Sequence, residues 1–586
     1  MSRQDARNGL LCAAAVIAAF FVVGPWASMP FDDDWSYSFT VRRFLETGHF
    51  FYNGWSAPVI ITHVLWGALF ARIFGYSFVT LRFSTLPFAA ACGFFCYLLA
   101  RRAQLRPGAA ILTALVLGLS PLFLPLAASF MTDVPALGYM LISLYAFVLA
   151  AESKEPGRAI NWLVAGAIVA ILGGMNRQTV WIVPLCVIPY LMILRRRDLG
   201  FIVAGILAYA SVLLDITLTL AWFRRQPWVY LDPPLIDCVR RGLQNPGVTL
   251  ADIIMVVFTV VMFTLPAMIP FCAESLARLW RERRNWRGAI TALIVLVLAV
   301  AVSVKPAFGM GPWLYNIVST KGVVGALELS GRRPTTLPLA ARGIISALVL
   351  MTCYLLAARA VILFLEPRRS WIRLRQFFSG PSAAPILAIF AIAYFSVMIL
   401  RSGQDQVFDR YCLPLIPCLA ILMLRAAPAK SPAIWTFAWV LLAVYAFYGV
   451  AVTHDNLALA AARRAAIDRL ESHGVPRTEI AGGFEYDFYT QLQERGHINR
   501  YGITNPPNAF DPLQYYTPAL KCRYRLEYPR LAGMEPSRFG QIEYICWLPP
   551  FRRVVCIDRF ENPWWFDARA AHRAPVPLNF EVDYEE

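Results

Sequence analysis

Residues 30–50 have the sequence PFDDDWSYSFTVRRFLETGHF and directly follow an uncharged run at residues 10–29. Three adjacent carboxylates, those of Asp32, Asp33 and Asp34, therefore stand where the first apolar segment ends. Carboxylates this close raise one another's pKa, and such crowding is typical of a general base or a metal site. Capping of the amphipathic helix that follows would account for one or two of the three. Both explanations, capping and chemistry, stay open at this point.

The composition of the chain excludes a soluble enzyme. Of its 586 residues, 58% are hydrophobic and 16% are charged, whereas about 25% are charged in soluble domains. The formal net charge is +17, but most arginines stand in short clusters between apolar runs, where the positive-inside rule explains them without nucleic acid. The chain is predicted to be a polytopic α-helical membrane protein with no nucleic-acid partner.

About thirteen apolar stretches approach the roughly 20 residues that a membrane-spanning helix needs. They lie at residues 10–29, 83–100, 109–130, 134–151, 159–174, 179–194, 199–222, 253–273, 288–304, 344–365, 386–400, 411–424 and 434–452. The distribution of arginine favours a cytoplasmic N-terminus. We therefore predict a transmembrane domain at residues 1–452 and a mixed α/β domain on the outer side at residues 453–586.

The predicted outer face holds four long pieces of chain, in which function is to be sought. They are residues 30–82, 223–252, 305–342 and 453–586. The first of them is predicted to form amphipathic surface helices. Four cysteines fall on this oxidising side, namely Cys238, Cys522, Cys546 and Cys556. A disulfide within the tail stays open, and its connectivity cannot be deduced from the sequence.

Isolated charges beside apolar runs are the other candidates. Asp133 lies in SFMTDVPALGYM, where membrane-edge acids are functional by default, although capping of the next helix is an alternative. Arg177 in GGMNRQTVW and Arg410 in QDQVFDRYCLPLIP are outer-side arginines that require an anionic partner. A salt bridge to an aspartate and a phosphate contact are equal alternatives for Arg177, and Asp409 could neutralise Arg410.

Taken in order, these motifs resemble the GT-C membrane glycosyltransferases, in the bacterial branch related to protein O-mannosyltransferases and the lipid A aminoarabinose transferase. The resemblance rests on Asp33, Asp34, Tyr37 and Gly48 in and around the first surface helix. It also rests on TDVP at residues 132–135, NRQT at residues 176–179 and DRYCLPLIP at residues 409–417. The order of the motifs and their shared placement on the outer face carry it.

The resemblance implies an inverting hexosyl- or pentosyltransferase of the bacterial inner membrane. Such an enzyme moves a sugar from a polyprenyl-phosphate donor to a hydroxyl of a glycan, lipid or protein acceptor on the periplasmic face. Asp33 then matches the general base, Asp34 orients the acceptor or the base, and Asp133 faces the same cavity. Arg177 and Arg410 match contacts of the leaving lipid phosphate. Cationic side chains can already stabilise the leaving group, so a metal is not required. A divalent metal at Asp33 and Asp34 stays open, because paired carboxylates are ligands for hard cations.

Two other classes remain as alternatives. A polytopic transporter or flippase for lipid-linked sugars also uses charges within the membrane, but the chain lacks paired half-repeats and has a large outer domain. Another periplasmic polysaccharide polymerase or ligase is the second alternative. A transferase requires its charged residues to converge at the outer face, whereas a transporter requires a site near the midplane.

Overall fold

The computed structural model describes residues 2–281, 290–294, 296–297, 313–323, 329–365, 367–402, 407–426, 431–512, 514–529 and 535–559. Up to residue 223 the chain forms consecutive helices with short connections. They are α1 (Arg3–Val22), α2 (Asp34–Thr47), α3 (Ile61–Phe74), α4 (Phe78–Arg102), α5 (Pro107–Gly118), α6 (Phe123–Ala127), α7 (Asp133–Glu152), α8 (Pro156–Asn176), α9 (Ile182–Leu194) and α10 (Leu199–Phe223).

The remaining described helices extend the bundle and lead into a C-terminal region. They are α11 (Leu235–Gln244), α12 (Pro246–Arg281), α13 (Leu339–Leu365), α14 (Pro367–Ser379), α15 (Ala383–Ser402), α16 (Leu415–Ala426), α17 (Pro432–Ser472) and α18 (Phe484–Arg495). Short 3₁₀ turns at Gln178–Trp181 and Asp409–Cys412 precede α9 and α16.

Nine helices within the described ranges are long and apolar enough to cross a membrane. Large apolar side chains on their outer surfaces are exposed, as for Leu207 (63%) and Leu218 (60%) on α10. Lipid tails accommodate such a surface, whereas water would not. Twelve of the predicted segments coincide with helices, and the segment at 288–304 lies largely outside the described residues. The predicted polytopic helical fold is confirmed, while the count of thirteen stays a prediction.

One end of the bundle collects arginines that were predicted to lie in the cytoplasm. Arg101 pairs with Asp5 at 2.7 Å, and Arg102 pairs with Glu152 at 2.6 Å. The Arg195 guanidinium donates to backbone carbonyls at the end of α7. These contacts join the start of α1 to the ends of α4, α7 and α9, so these four points lie at the same end of the bundle.

Local hydrogen bonds form at both ends of helix α2. The Phe31 N–H donates to Asp34 Oδ1 at 2.6 Å at its start. At its end Gly48 has a φ of 72°, a left-handed conformation that glycine adopts without strain, and its N–H donates to the Phe44 carbonyl. The first half of α2 is buried rather than lying on a surface, because the C-terminal helix α18 packs against Trp35 and Phe39.

The C-terminal region contains the predicted mixture of helix and sheet. Its four-stranded sheet has the order β4-β6-β8-β7, with β4 parallel to β6 and the other pairs antiparallel. These strands are β4 (Ile480–Ala481), β6 (Tyr524–Glu527), β7 (Glu535–Ile545) and β8 (Arg552–Arg559). A two-stranded ribbon pairs β1 (Val229–Tyr230) with β5 (Ile503–Asn505), and a small hairpin joins β2 (Val318–Ser319) to β3 (Gly322–Val323).

The predicted domain boundary at residues 452–453 lies inside α17, which continues without interruption for 41 residues. The core of the C-terminal region also includes Ala27 and Met29 from the segment after α1. The region is therefore packed against the exit from the first helix. All twelve cysteines lie within the described residues and none forms a disulfide, so the disulfide that the sequence left open in the tail is not found.

Sidedness can be tested with alkaline phosphatase fusions, because this reporter is active only after export. A fusion after Gly474, in the turn beyond α17, should be active, and a fusion after Lys154, between α7 and α8, should be inactive. Measurement of phosphatase activity in cells expressing each fusion decides the orientation. The reverse pattern would contradict the predicted cytoplasmic N-terminus and with it an active site on the outer face.

Candidate active site

The segment between α1 and α2 is held in place by a buried arginine. Arg82 on α4 donates to the carbonyls of Pro25, Ala27 and Met29 at 2.8 to 2.9 Å. Further along the segment Asp32 has a φ of 48°, in the left-handed region that side chains other than glycine rarely adopt. Such a conformation costs on the order of 1 kcal/mol and persists only where its surroundings enforce it.

Arg410 bridges the first two aspartates of the cluster. Its Nη1 donates to Asp32 Oδ2 at 2.6 Å and its Nη2 to Asp33 Oδ2 at 2.8 Å. All three side chains are buried, with 8 to 13% of their surface exposed. Burial and the Asp33 charge raise the pKa of Asp32 well above its ordinary value, and Arg410 only partly opposes this. The anionic partner that Arg410 was predicted to need is therefore the aspartate pair.

The Asp409 carboxylate binds backbone N–H groups rather than the Arg410 guanidinium. Its carboxylate accepts hydrogen bonds from the backbone N–H groups of Ile317 and Val318, and from that of Arg410. Burial raises the pKa of Asp409 to about 7, although these donors oppose the shift. Asp409 thus anchors the 3₁₀ turn from which the Arg410 side chain projects.

A second ion pair forms between the start of α7 and the end of α8. Arg177 lies in extended backbone directly after α8, and its Nη1 is 3.0 Å from Asp133 Oδ1. The same nitrogen donates to the Thr132 hydroxyl at 2.8 Å. The other carboxylate oxygen, Asp133 Oδ2, is buried and has no hydrogen-bond partner. This oxygen retains its full capacity to accept a hydrogen bond.

The two ion pairs meet around Tyr411. The guanidinium carbons of Arg177 and Arg410 lie 5.5 Å and 5.7 Å from the centre of its ring, within the range of cation–π attraction. A small cavity is lined by both arginines and by Asp133, Thr179 and Tyr394. The buried Nε of Arg410 has no hydrogen-bond partner. The site thus combines two cations, a carboxylate oxygen and an unused donor.

Asp34 lies in a different environment from its two neighbours. Its Oδ1 accepts from the Phe31 N–H at 2.6 Å and its Oδ2 accepts from the Phe130 N–H at 3.0 Å. Burial raises the pKa of Asp34 to about 7, and both backbone hydrogen bonds oppose that shift. The Asp34 carboxylate therefore joins the segment before α2 to the segment before α7. It positions the loops that carry Asp33 and Asp133.

Three residues near the site were not singled out from the sequence. Arg82 fixes the segment after α1, and Trp55 donates from Nε1 to Asp33 Oδ1 at 2.7 Å. Glu485 of the C-terminal region forms a buried pair with Arg463 at 2.8 Å, and its charge contributes to the raised pKa of Asp32. Their partners are distant in sequence, so no local pattern marks them. Nearby, the His63 ring stacks on that of Phe130 with a centroid distance of 4.0 Å.

The residues of the site do not fit a divalent metal in this arrangement. Both oxygens of Asp34 accept hydrogen bonds from backbone N–H groups, and Asp33 is bound by the cationic Arg410 side chain and by Trp55. A cation at Asp33 would also lie against the Arg410 guanidinium. Within the described ranges no group of three or more metal-ligating side chains is close enough to hold an ion.

A family model described as dolichyl-phosphate-mannose-protein mannosyltransferase matches residues 58–222. The predicted resemblance to the GT-C membrane glycosyltransferases is confirmed. The matched range contains Asp133 and Arg177, whereas Asp33 and Arg410 lie outside it. No curated protein matches the chain significantly. The GT-C resemblance is thus carried by the family match together with the motifs on either side of it.

Solved structures with partial similarity come from three kinds of membrane protein. ArnT from Cupriavidus metallidurans, bound to undecaprenyl phosphate, is 16% identical with a TM-score of 0.39, over 82% of this chain and 68% of that one. The Archaeoglobus fulgidus oligosaccharyltransferase is 12% identical with a TM-score of 0.38, over 78% and 57%. The S. cerevisiae Pmt1–Pmt2 complex, bound to its sugar donor, is 15% identical with a TM-score of 0.31, over 38% and 34%. The aligned part of this chain thus spans about a third of the yeast chain.

The role of Asp34 can be separated from that of an ordinary surface acid. Asp34→Asn places an amide N–H against a backbone N–H, so it should lower the free energy of unfolding by about 1 to 3 kcal/mol. The matched control is Asp232→Asn, because the Asp232–Arg401 pair is partly exposed and such pairs contribute about 1 kcal/mol or less. Thermal unfolding of the purified proteins in detergent measures both. Equal stability of the two variants would contradict the positioning role.

Proposed function

We propose that this chain is an inverting glycosyltransferase, a hexosyl- or pentosyltransferase, that uses a polyprenyl-phosphate sugar as donor. The acceptor is a hydroxyl of a glycan, lipid or protein. The observation that carries the proposal is a small cavity lined by Asp133, Arg177 and Arg410, with Asp33 bound to Arg410 at 2.8 Å. A transfer of this kind needs a base for the acceptor and cations for the departing phosphate, and the cluster supplies both types of group.

Asp33 is the proposed general base. Its oxygens accept from Arg410 and Trp55, but a carboxylate has about four lone-pair positions, so room remains for an acceptor hydroxyl. In the reaction the acceptor oxygen bonds to the anomeric carbon as Asp33 takes the hydroxyl proton. The bond from that carbon to the phosphate oxygen breaks on the opposite side, and the electron pair leaves with the lipid phosphate. Attack opposite the leaving group inverts the anomeric centre.

Arg177 and Arg410 are the proposed contacts of the lipid phosphate. A buried anion is tolerated only where the local charge is balanced. Because the pKa of Asp32 is raised, this carboxyl is neutral more readily than an exposed aspartate. A neutral Asp32 would leave two carboxylates, those of Asp33 and Asp133, beside the two arginines. A phosphate would then meet less repulsion than it would from three ionised carboxylates.

A lipid-linked donor suits a site built on apolar helices. The cavity is lined by side chains from the first half of α7, from α15 and from the turn after α8. A prenyl tail can therefore remain among membrane lipids while its phosphate reaches the arginines. No glycine-rich phosphate loop of the kind that binds nucleotides occurs in the sequence. These observations support a polyprenyl-phosphate sugar over a nucleotide sugar.

The proposed location is the bacterial inner membrane, with the N-terminus in the cytoplasm and both the site and the C-terminal region in the periplasm. The arginine clusters at the opposite end of the bundle support this orientation through the positive-inside rule. A transporter or flippase is the second candidate. Against it, the candidate charges gather at helix ends next to the C-terminal region, whereas transporters bind their substrates near the midplane.

Loss of the proposed base should stop transfer without unfolding the protein. A deletion strain should accumulate a prenyl-phosphate sugar, detected by lipidomics. Wild-type protein should remove it, and Asp33→Asn should not, because the amide cannot accept the proton. Equal amounts of folded protein in the membrane are the control. An unchanged lipid profile together with unaltered envelope glycans would contradict the function, and full activity of Asp33→Asn would contradict the base.

Donor affinity should depend on Arg177. Arg177→Ala should weaken binding of the prenyl-phosphate sugar by about 2 to 3 kcal/mol, because a buried charged contact is lost. The control is Arg241→Ala, since Arg241 is exposed at the end of α11. The KM for the donor and the unfolding temperature are measured for both variants. A loss of stability in Arg177→Ala with an unchanged donor KM would mean that Arg177 only pairs with Asp133.

A further inference from the structure

One indole fixes the orientation of the proposed base. Trp55 lies in the connection between α2 and α3, and its Nε1–H donates to Asp33 Oδ1 at 2.7 Å. Arg410 binds the other oxygen at 2.8 Å. A carboxylate held at both oxygens by donors from different parts of the chain has little freedom to rotate. The Trp55 indole is therefore one of two side chains that set the direction of the remaining Asp33 lone pairs.

The C-terminal region in turn holds the indole. The Arg500 guanidinium lies 4.5 Å from the Trp55 ring centre, and its Nη1 donates to the Trp55 carbonyl at 3.2 Å. Phe484 and Phe488 of α18 contact the same ring edge-on, with centroid distances of 5.7 and 5.3 Å. The Tyr516 ring also contacts the indole, with a centroid distance of 6.3 Å. The position of the indole thus depends on how the C-terminal region docks.

We propose that Trp55 is a positioning residue for the transfer reaction, which orients the Asp33 carboxylate and links it to the docked C-terminal region. The proposal rests on the proposed role of Asp33 as the base. It assigns to the C-terminal region an effect on turnover that requires no catalytic residue there. A carboxylate free to rotate would spend part of its time facing away from the acceptor hydroxyl, and turnover would fall accordingly.

A second tryptophan provides a matched control. Trp35 is fully buried, its ring centroid is 5.4 Å from that of Trp55, and it contacts the same Phe484 and Phe488 rings. Its Nε1, however, is buried without a hydrogen-bond partner. Replacing either indole with phenylalanine removes an N–H and reduces the packing of the same aromatic cluster. Only the Trp55 substitution removes a hydrogen bond to Asp33.

The experiment compares Trp55→Phe with Trp35→Phe in the full-length protein, purified in detergent. The donor is the prenyl-phosphate sugar extracted from the deletion strain, the acceptor source is membranes of that strain, and release of prenyl phosphate is measured. For Trp55→Phe we expect kcat to fall about ten- to a hundredfold, as for the loss of a hydrogen bond to a charged group, with the donor KM changed less than about twofold. For Trp35→Phe we expect kcat within about twofold of wild type.

The pH profile separates an effect on the base from an effect on packing. A carboxylate that loses a donated hydrogen bond binds its proton more tightly. The acidic limb of the kcat/KM profile should therefore move to higher pH in Trp55→Phe and stay in place in Trp35→Phe. A packing defect would lower activity or unfolding temperature without moving this limb.

The outcomes distinguish the proposal from the function on which it rests. Equal losses in the two variants, an unmoved acidic limb, or wild-type turnover in Trp55→Phe would each overturn the positioning role, while an inactive Asp33→Asn would leave the base assignment intact. Full activity of Asp33→Asn would overturn the base assignment and the positioning role together. A fall in kcat confined to Trp55→Phe, with a shifted limb, supports the proposal.

Discussion

The bridge from Arg410 to Asp32 and Asp33 is the constraint on which the rest of the site depends. It joins side chains separated by 378 and 377 positions in the sequence, so the turn before α16 must meet the segment after α1. A buried guanidinium without partners is costly, and removal of one member of such a pair typically destabilises a protein by about 3 to 5 kcal/mol. The same contact thus joins these two distant parts of the chain and sets the position of the proposed base.

Other contacts of the site hold the segments that carry the members of that bridge. Arg82 fixes the segment after α1 through three carbonyls, and Asp409 fixes the turn that carries Arg410 through three N–H groups. Asp34 joins the two loops that carry Asp33 and Asp133. In each case a charged side chain forms hydrogen bonds with backbone groups of a buried loop that no helix pairs. Left without partners, such buried backbone groups would destabilise the protein.

Local sequence was sufficient to find the charges of the site but not to assign their tasks. Asp133, Arg177 and Arg410 stand out because a lone charge beside an apolar run is rare. The difference between Asp33 and Asp34 depends on which oxygen faces which loop, and no spacing rule contains that information. Trp55 is an ordinary loop aromatic in sequence, 22 residues from its partner, so nothing local marks it.

The fold shows the same division between local and distant information. Twelve apolar runs coincide with helices, but the run at 109–130 is divided between α5 and α6 at Ser120 and Pro121, where proline removes a backbone donor. At residues 452–453 the composition changes while the helix does not, because an amphipathic pattern can continue a helix after the apolar one ends. Composition therefore marks the change of environment, whereas capping and breaking residues mark the ends of helices.

Pairing the arginines with carboxylates also limits how tightly the site could hold the phosphate of the proposed donor. Unpaired, two buried guanidinium groups would be strongly destabilising before the donor arrives; paired with Asp133 and with Asp32 and Asp33, they can be buried in the resting protein. Under the proposed function, the phosphate of the donor would gain only the difference between its own contacts and those that the carboxylates already make. The same difference would govern release of the lipid phosphate. The ion pairs that stabilise the site would thus also limit how tightly the product is held.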